Sequence, residues 1–410
     1  MGLTNRMKNI SRIQNQRGAV SLFVVIFAML IMTVLVVSFL RLMMSDQNQA
    51  TSANLAEGAR NSAMAGVEDA KRALLRYGEY CKSHSQAECD ELATRLASDT
   101  CNLAVRIGDV VADDAQSGGS DTQPGEIKVQ QTQNSGDALL DQAYTCVTME
   151  LNTDDYIGSI GVNSTQIVPL IGTSDFDRVT IEWFSREDLG ATSSSNLSLQ
   201  STASRVMTSD WPANRPSVLR AQFMQFGDSF TLSDFDSTTN SGESNANTLF
   251  LYPTSNGTQA PQSLTARDQR RAPSQEESPS DSSSDTPLGV RCQSSLSSGG
   301  YACSVTIVLP NPVGGGDRTA FLRLVPYYNS THFRVTMSDG SASNIVQFDA
   351  VQPEVDSTGR ANNVFKRMSA RVDLYNIGSI VPGAAVDVTG SFCKDFSVTD
   401  NRYVAGTCTP

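Results

Sequence analysis

The sequence predicts an α+β fold: a long N-terminal helix, hydrophobic and then amphipathic, followed by β-rich exported domains. Three observations predict it. Residues 19–40, AVSLFVVIFAMLIMTVLVVSFL, hold no charge, no glycine and no proline. Next, Ala53, Ala56, Ala59, Ala63, Val67, Ala70 and Leu74 recur every three or four residues, the spacing of one helix face. Beyond residue 143 the pattern changes to short alternating runs of β-branched and aromatic residues, separated by Gly, Ser, Asn and Asp.

The apolar run comes first. Its 22 residues reach about 33 Å as a helix, enough for a bilayer hydrocarbon core. Residues 1–18 before it carry Arg6, Lys8, Arg12 and Arg17 and no acidic residue. The positive-inside rule then places the N-terminus in the cytoplasm and residues 41–410 outside. A cleaved secretory signal has a shorter apolar core and a small-residue cleavage site. This run instead leads into Arg41, Leu42, Met43 and Met44, with no AxA-like site. No glycine lies between Gly18 and Gly58, and no proline before Pro124. One helix can therefore continue from residue 19 through an amphipathic stretch, 41–77, to a length of about 90 Å. Glu57/Arg60, Glu68/Lys71 and Asp69/Arg72 are i,i+3 pairs that support its second half.

Composition narrows the function. Lys+Arg number 31 against 43 Asp+Glu, a net charge of −12, which repels phosphate backbones, so no nucleic-acid partner is expected. Only 18% of residues are charged, and the abundance of Ser, Thr, Asn, Gln and Gly reads as an extracellular surface. His84 and His332 are the two histidines, and neither has a metal-like neighbour in sequence. With no HExxH, no GxSxG and no P-loop lysine, no metal, cofactor or enzymatic activity is expected. A membrane-anchored hydrolase would need a nucleophile with a base.

Eight cysteines occur, Cys81, Cys89, Cys101, Cys146, Cys292, Cys303, Cys393 and Cys408, with no CxxC and none in the apolar run. Disulfides formed in an oxidising compartment fit this pattern, with buried free thiols as the alternative. Cys292–Cys303 and Cys393–Cys408 are the favoured pairs, because each closes a short loop in a β-rich region. The pairing of the other four stays open.

The exported part reads in blocks. Residues 78–143 form a Cys-containing region with a short helix at 87–97 and a Gly/Ser/Asp/Gln-rich loop at 112–137. A β-rich domain, 144–254, follows, with strands at 144–151, 164–171, 177–184 and 216–226. Residues 255–287, containing PSQEESPSDSSSDTP, have too little apolar surface to offset ordering and read as a flexible linker. Arg267, Arg270 and Arg271 within it are followed by Glu276, Glu277, Asp281 and Asp285, a solvated charge run. A C-terminal β-rich domain, 288–410, has strands at 301–309, 319–328, 332–338 and 366–375, with hairpin loops at 311–318 and 328–332. His332 reads as strand surface. Whether the two β-rich blocks are one domain or two stays open.

The start of the chain adds a resemblance. QRGAVSLF sets Arg17-Gly18 directly before the apolar run, and ANLAEGARNSAMAGVEDAKRALL spans 53–75. Together, residues 16–75 resemble the type IV minor pilins of the PilX-like and GspK-like (pseudopilin) kind. In the second string, Ala65, Gly66, Val67, Glu68, Ala70 and Leu74 carry the match. The resemblance implies a prepilin with a cytoplasmic leader, 1–18, cut between Gly18 and Ala19 by the prepilin peptidase. Segment 19–40 would serve first as transmembrane helix and then as filament core. It implies as partners other pilin subunits, the pilus assembly platform and a host or partner-cell surface. It implies residence in the inner membrane before assembly and in an extracellular pilus afterwards. The Cys393–Cys408 loop is similar to the C-terminal loop that many pilins close. One departure matters: major pilins carry Glu at the fifth mature position, and here that position is Phe23. This favours a minor, tip-located subunit in assembly initiation or adhesion. It leaves a single-pass surface adhesin with an uncleaved anchor as the alternative.

Overall fold

The computed structural model describes residues 17–81, 83–97, 127–130, 142–190, 195–203, 208–226, 246–264, 287–314 and 319–374. The fold is α+β, with one long apolar N-terminal helix and three β-sheets. α1 (Arg17–Cys81) is a single helix of 65 residues, about 97 Å long. It begins before the predicted residue 19 and ends four residues past the predicted 77. α2 (Gln86–Leu96) matches the predicted short helix, and the Glu88 carboxylate accepts the Ser85 amide at 2.8 Å to close its first turn.

The strands, in chain order, are β1 (Ile127–Gln130), β2 (Gln142–Glu150), β3 (Tyr156–Ile160), β4 (Gln166–Leu170), β5 (Phe176–Ser185), β6 (Val218–Phe226), β7 (Ala246–Thr254) and β8 (Gln262–Ser263). After residue 287 come β9 (Leu288–Arg291), β10 (Tyr301–Val313), β11 (Thr319–Tyr327), β12 (Thr331–Ser338), β13 (Ile345–Val346), β14 (Glu354–Ala361) and β15 (Val364–Arg371). All eight expected strands form, with shifted ends. β1 lies inside the stretch expected to be loop, 112–137.

The first sheet has the order β1-β2-β14-β15 and packs against the second half of α1. The helix presents Gly58, Ala59, Ser62, Ala63, Gly66, Val67, Ala70, Ala73 and Leu74, all buried. This is the face expected from sequence, with Ala53 exposed and Ala56 only half-buried because the sheet does not reach them. The small residues set the spacing. A Cβ built on Gly359 of β14 would land on the Ala59 carbonyl oxygen and the Ala63 amide nitrogen, and one on Gly66 would collide with Ser357 Oγ. Helix and strand thus touch backbone to backbone. Val67, Ala70 and Leu74 continue the seam against Tyr144, Val147, Met149 and Val355, while α2 adds Leu92 and Leu96.

The other two sheets face each other across the largest core. One has the order β13-β12-β5-β10-β8, with β3 also pairing β12; the other runs β4-β11-β6-β7-β9. Ile181, Trp183, Ile307, Phe333 and Val335 from the first meet Leu219, Phe223, Leu249, Leu251, Leu322 and Leu324 from the second. β5 and β12 bury alternate residues over most of their length, the period that the sequence showed.

This topology answers one question the sequence left open and corrects two expectations. β5 lies between β10 and β12, and β11 lies between β4 and β6, so strands on both sides of 255–287 build common sheets and a common core. The segment does not separate two folding units. Its first ten residues are also not linker: β8 pairs in parallel with β10, Leu264 is buried, and the Thr258 amide donates to the Gly289 carbonyl at 2.8 Å. Residues 265–286, with Arg267, Arg270 and Arg271, lie outside the described residues. Neither 311–318 nor 328–332 closes a hairpin. β10 and β12 belong to the six-stranded sheet while β11 belongs to the five-stranded one, so both connections cross from sheet to sheet. At the second crossing Tyr328 takes φ 76°. There Asn329 Nδ2 donates to the carbonyls of Pro212 and Arg215 at 3.1 and 2.8 Å, tying the turn to the chain before β6.

Candidate functional site

The feature with the clearest physical demand is the first half of α1. Every residue from Leu22 to Asn54 is exposed. Nineteen large apolar side chains lie in water between Leu22 and Met44. At about 2 kcal/mol for each such side chain, leaving them there costs tens of kcal/mol. Among the described residues this is the one helix long and apolar enough to cross a membrane. A lipid bilayer or a bundle of similar helices would remove that surface from water.

Gly18 and Ala19 stand on the first turns of α1, and Phe23 one turn further, 73% exposed. Residues 1–16 of the expected leader lie outside the described residues. Beyond the apolar run, residues 45–54 form a polar and fully exposed length of the same helix. It separates the apolar half from the seam on the first sheet.

The cysteines fall into three groups. Cys292 and Cys303 are joined as expected, with Cα atoms 4.2 Å apart. They form a β-bridge between the end of β9 and the start of β10. Cys81 and Cys89 are also joined, with Cα atoms 5.4 Å apart, which clamps the last turn of α1 to the first turn of α2. Sequence had left this pair open. Cys146, on β2, is disulfide-bonded as well. No described cysteine is free, which removes the free-thiol alternative for these five. Cys101, Cys393 and Cys408 lie outside the described residues.

The histidines occupy two different settings. His84 stacks on Tyr80 with ring centroids 3.6 Å apart, in the exposed turn between α1 and α2. His332 opens β12. Its Nδ1 lies 2.7 Å from Asp188 Oδ1 and its Nε2 lies 3.2 Å from Glu187 Oε2, while its backbone N–H donates to Asp188. Asp188 also accepts the Ser185 amide at 2.7 Å, so the carboxylate is buried and satisfied. The sequence reading of His332 as strand surface missed this anchor, which joins residues 144 positions apart. It pins the end of β5, where Phe184 takes φ 67° and donates its N–H to Thr331 Oγ1 at 3.0 Å.

One cleft of about 790 Å³ lies between α2 and the ends of β2, β14 and β15. Asp90, Glu150, Asp349, Glu354 and Asp356 line it, and Arg367 holds Asp356 through Nε at 2.7 Å to each oxygen. Asp349 is an exposed residue on the cleft wall, and partial desolvation there, then the nearby Asp90, raise its pKa from the ordinary aspartate value. Among the described residues, no group of three or more His, Cys, Asp or Glu has the geometry of a metal site.

Comparison with protein-family models, with curated proteins and with solved structures finds no match for this chain.

Proposed function

We propose that this protein is a minor type IV pilin of the PilX-like and GspK-like kind, acting at or near a filament tip in assembly initiation and surface contact. One observation carries the reading. An unbroken helix has a bare apolar half and a second half seated by small residues on a sheet. Such a helix can wait in a bilayer and then exchange lipid for neighbouring helices without refolding, since both environments cover the same apolar surface. Arg17-Gly18 before the run supplies the processing site. Prepilin peptidase would release Ala19 as the new N-terminus on the cytoplasmic side of the inner membrane. The assembly platform and other pilins would then draw the subunit into an extracellular filament.

Phe23 supports the tip position. A glutamate at that position would neutralise the N-terminal amine of a neighbour inside an apolar core, where an uncompensated charge is costly. The tip subunit has no further neighbour to neutralise. The three disulfide-bonded sites on the exported side fit an oxidising exterior.

The test is intact mass and N-terminal peptide mapping of protein from its native cells. A chain that begins at Ala19 supports the reading. A chain retaining residues 1–18 overturns it in favour of a single-pass surface adhesin with an uncleaved anchor, the reading that Phe23 also permits.

A further inference from the structure

The five-stranded sheet turns one face to the core and the other outward. On the face away from that core, Arg220 on β6, Phe250 on β7, Arg323 on β11 and Ile167 on β4 are half-buried, while Gln222, Thr248 and Val325 beside them are buried. The register puts Arg220 between Phe250 and Val325, and Gln222 between Thr248 and Arg323. Arg220 and Arg323 are therefore diagonal neighbours on adjacent strands, a spacing that long side chains bridge.

The pair is unusual for this molecule. In a chain of net charge −12, the five strands of this sheet contain no acidic residue and three arginines, Arg220, Arg291 and Arg323. Among the described residues neither Arg220 nor Arg323 meets a carboxylate. Arg323 donates one hydrogen bond, from Nη2 to Thr165 Oγ1 at 3.3 Å. The Nε of each is buried with no acceptor. Burial, and then the like charge of Arg220, lower the Arg323 pKa below the ordinary arginine value. Two guanidinium groups side by side, partly desolvated and short of acceptors, are costly alone. A negative group between them would relieve both the repulsion and the missing hydrogen bonds. Phe250, Val325 and Ile167 frame the pair with apolar surface, which strengthens charge-assisted bonds made there. Both side chains are partly exposed, so the site is open to solvent on one side.

We propose that Arg220 and Arg323 form a binding site for a single oxyanion group, a carboxylate, sulfate or phosphate, on the outer face of the five-stranded sheet. The planar guanidinium fork suits such a group bidentately, as a lysine would not. Gln222, opposite Arg323 and two residues along β6 from Arg220, is placed to donate a further hydrogen bond. The site is independent of how the N-terminus is processed.

The test is equilibrium dialysis of the full chain, in a nonionic detergent, against radiolabelled inorganic sulfate at constant ionic strength. Expected is saturable binding of one sulfate per chain, displaced by inorganic phosphate or by acetate but not by added chloride. Arg220→Gln and Arg323→Gln should each weaken it by about tenfold or more, the effect of losing one charge-assisted bond. Arg291→Gln should leave binding unchanged, because Arg291 instead faces Gln259 at the sheet edge. Arg323→Lys, which keeps the charge without the fork, checks that loss follows geometry rather than misfolding, and far-UV circular dichroism checks each variant. Absence of saturable binding overturns the proposal. So does binding that survives in the Arg220→Gln/Arg323→Gln double variant, or that falls equally in Arg291→Gln. The relative displacement by phosphate and by acetate separates tetrahedral from carboxylate ligands.

Discussion

The seam between α1 and the first sheet can be broken by one methyl group. Gly359→Ala would place a Cβ onto the Ala59 carbonyl oxygen and the Ala63 amide nitrogen. These are backbone atoms of a hydrogen-bonded helix, so they cannot rotate aside as a side chain would. The strand and the helix must separate by an ångström or more, which thins contacts along Ala59, Ala63 and Val67. Overpacking costs typically 1–3 kcal/mol, and a backbone clash belongs at or above the top of that range, about 3 kcal/mol. Gly78→Ala is the control. It lies on the same helix, and a Cβ there meets nothing within 4 Å. Ala in a helix interior exceeds Gly by about 0.8–1 kcal/mol, so this variant should be more stable, not less. Urea unfolding of the full chain in nonionic micelles reads both. Far-UV circular dichroism follows the helix, while Trp183 on β5 and Trp211, packed on Val218 and Tyr252, follow the facing sheets. A Gly359→Ala variant that loses less than about 1 kcal/mol would refute the backbone-contact account of the seam.

Four further outcomes are expected. Replacing Cys292 and Cys303 together with Ala should cost about 3 kcal/mol by the chain-entropy estimate for a short loop, measured by denaturant midpoint against the oxidised parent. Tyr144→Phe removes the hydroxyl that donates to Asp69 at 2.7 Å between β2 and α1, and should cost about 1 kcal/mol by the same denaturation. Asp349 binds its proton more tightly in the folded than in the unfolded chain, so its contribution to stability falls as pH rises through the carboxylate range. Asp349→Asn should therefore raise the unfolding midpoint at pH 7, with the gain disappearing in acid below the unfolded pKa. Leu30→Arg, near the centre of the apolar half of α1, should impair membrane insertion by about 2.5–3.5 kcal/mol, read by carbonate extraction and the detergent-free soluble fraction.

Much of the helix was legible because its signals are local. Charge, absence of breakers and a spacing of three or four residues mark α1 from the chain alone. The strands that sequence reading found, such as β10 and β12, carry large alternating apolar residues. β14 was missed, although it is central to the first sheet. Its sequence EVDSTGRA buries Val355, Ser357 and Ala361, with Gly359 against the helix backbone. It needs small residues because the helix is so close, and small residues erase the apolar alternation by which strands are recognised. The interleaving of the sheets was likewise invisible. Which strand pairs with which depends on contacts far apart in sequence, such as Val335 with Ile181. The Arg220–Arg323 pair and the Asp188–His332 anchor are products of that register, so no short motif announced either. Of the disulfides, Cys292–Cys303 was readable because it closes a short loop, whereas Cys81–Cys89 depended on where α1 ends.

The arrangement of α1 also decides how the molecule would carry a pull. A force applied between the apolar half of the helix and the sheets travels first along the polar length, 45–54, which has neither glycine nor proline to act as a joint. It next meets the seam from Gly58 to Leu74, about 24 Å of helix, and only afterwards the chain beyond Cys81. The seam therefore unloads the covalent path behind it. Where the pull runs along the helix axis, the contacts are strained together in shear rather than peeled one after another, the stronger of the two geometries for many weak contacts. The Cys81–Cys89 clamp lies behind the seam, sheltered from the first part of the load. Extending the molecule from Ala19 and from Tyr301 in a force spectrometer should then give one sharp release as the seam yields.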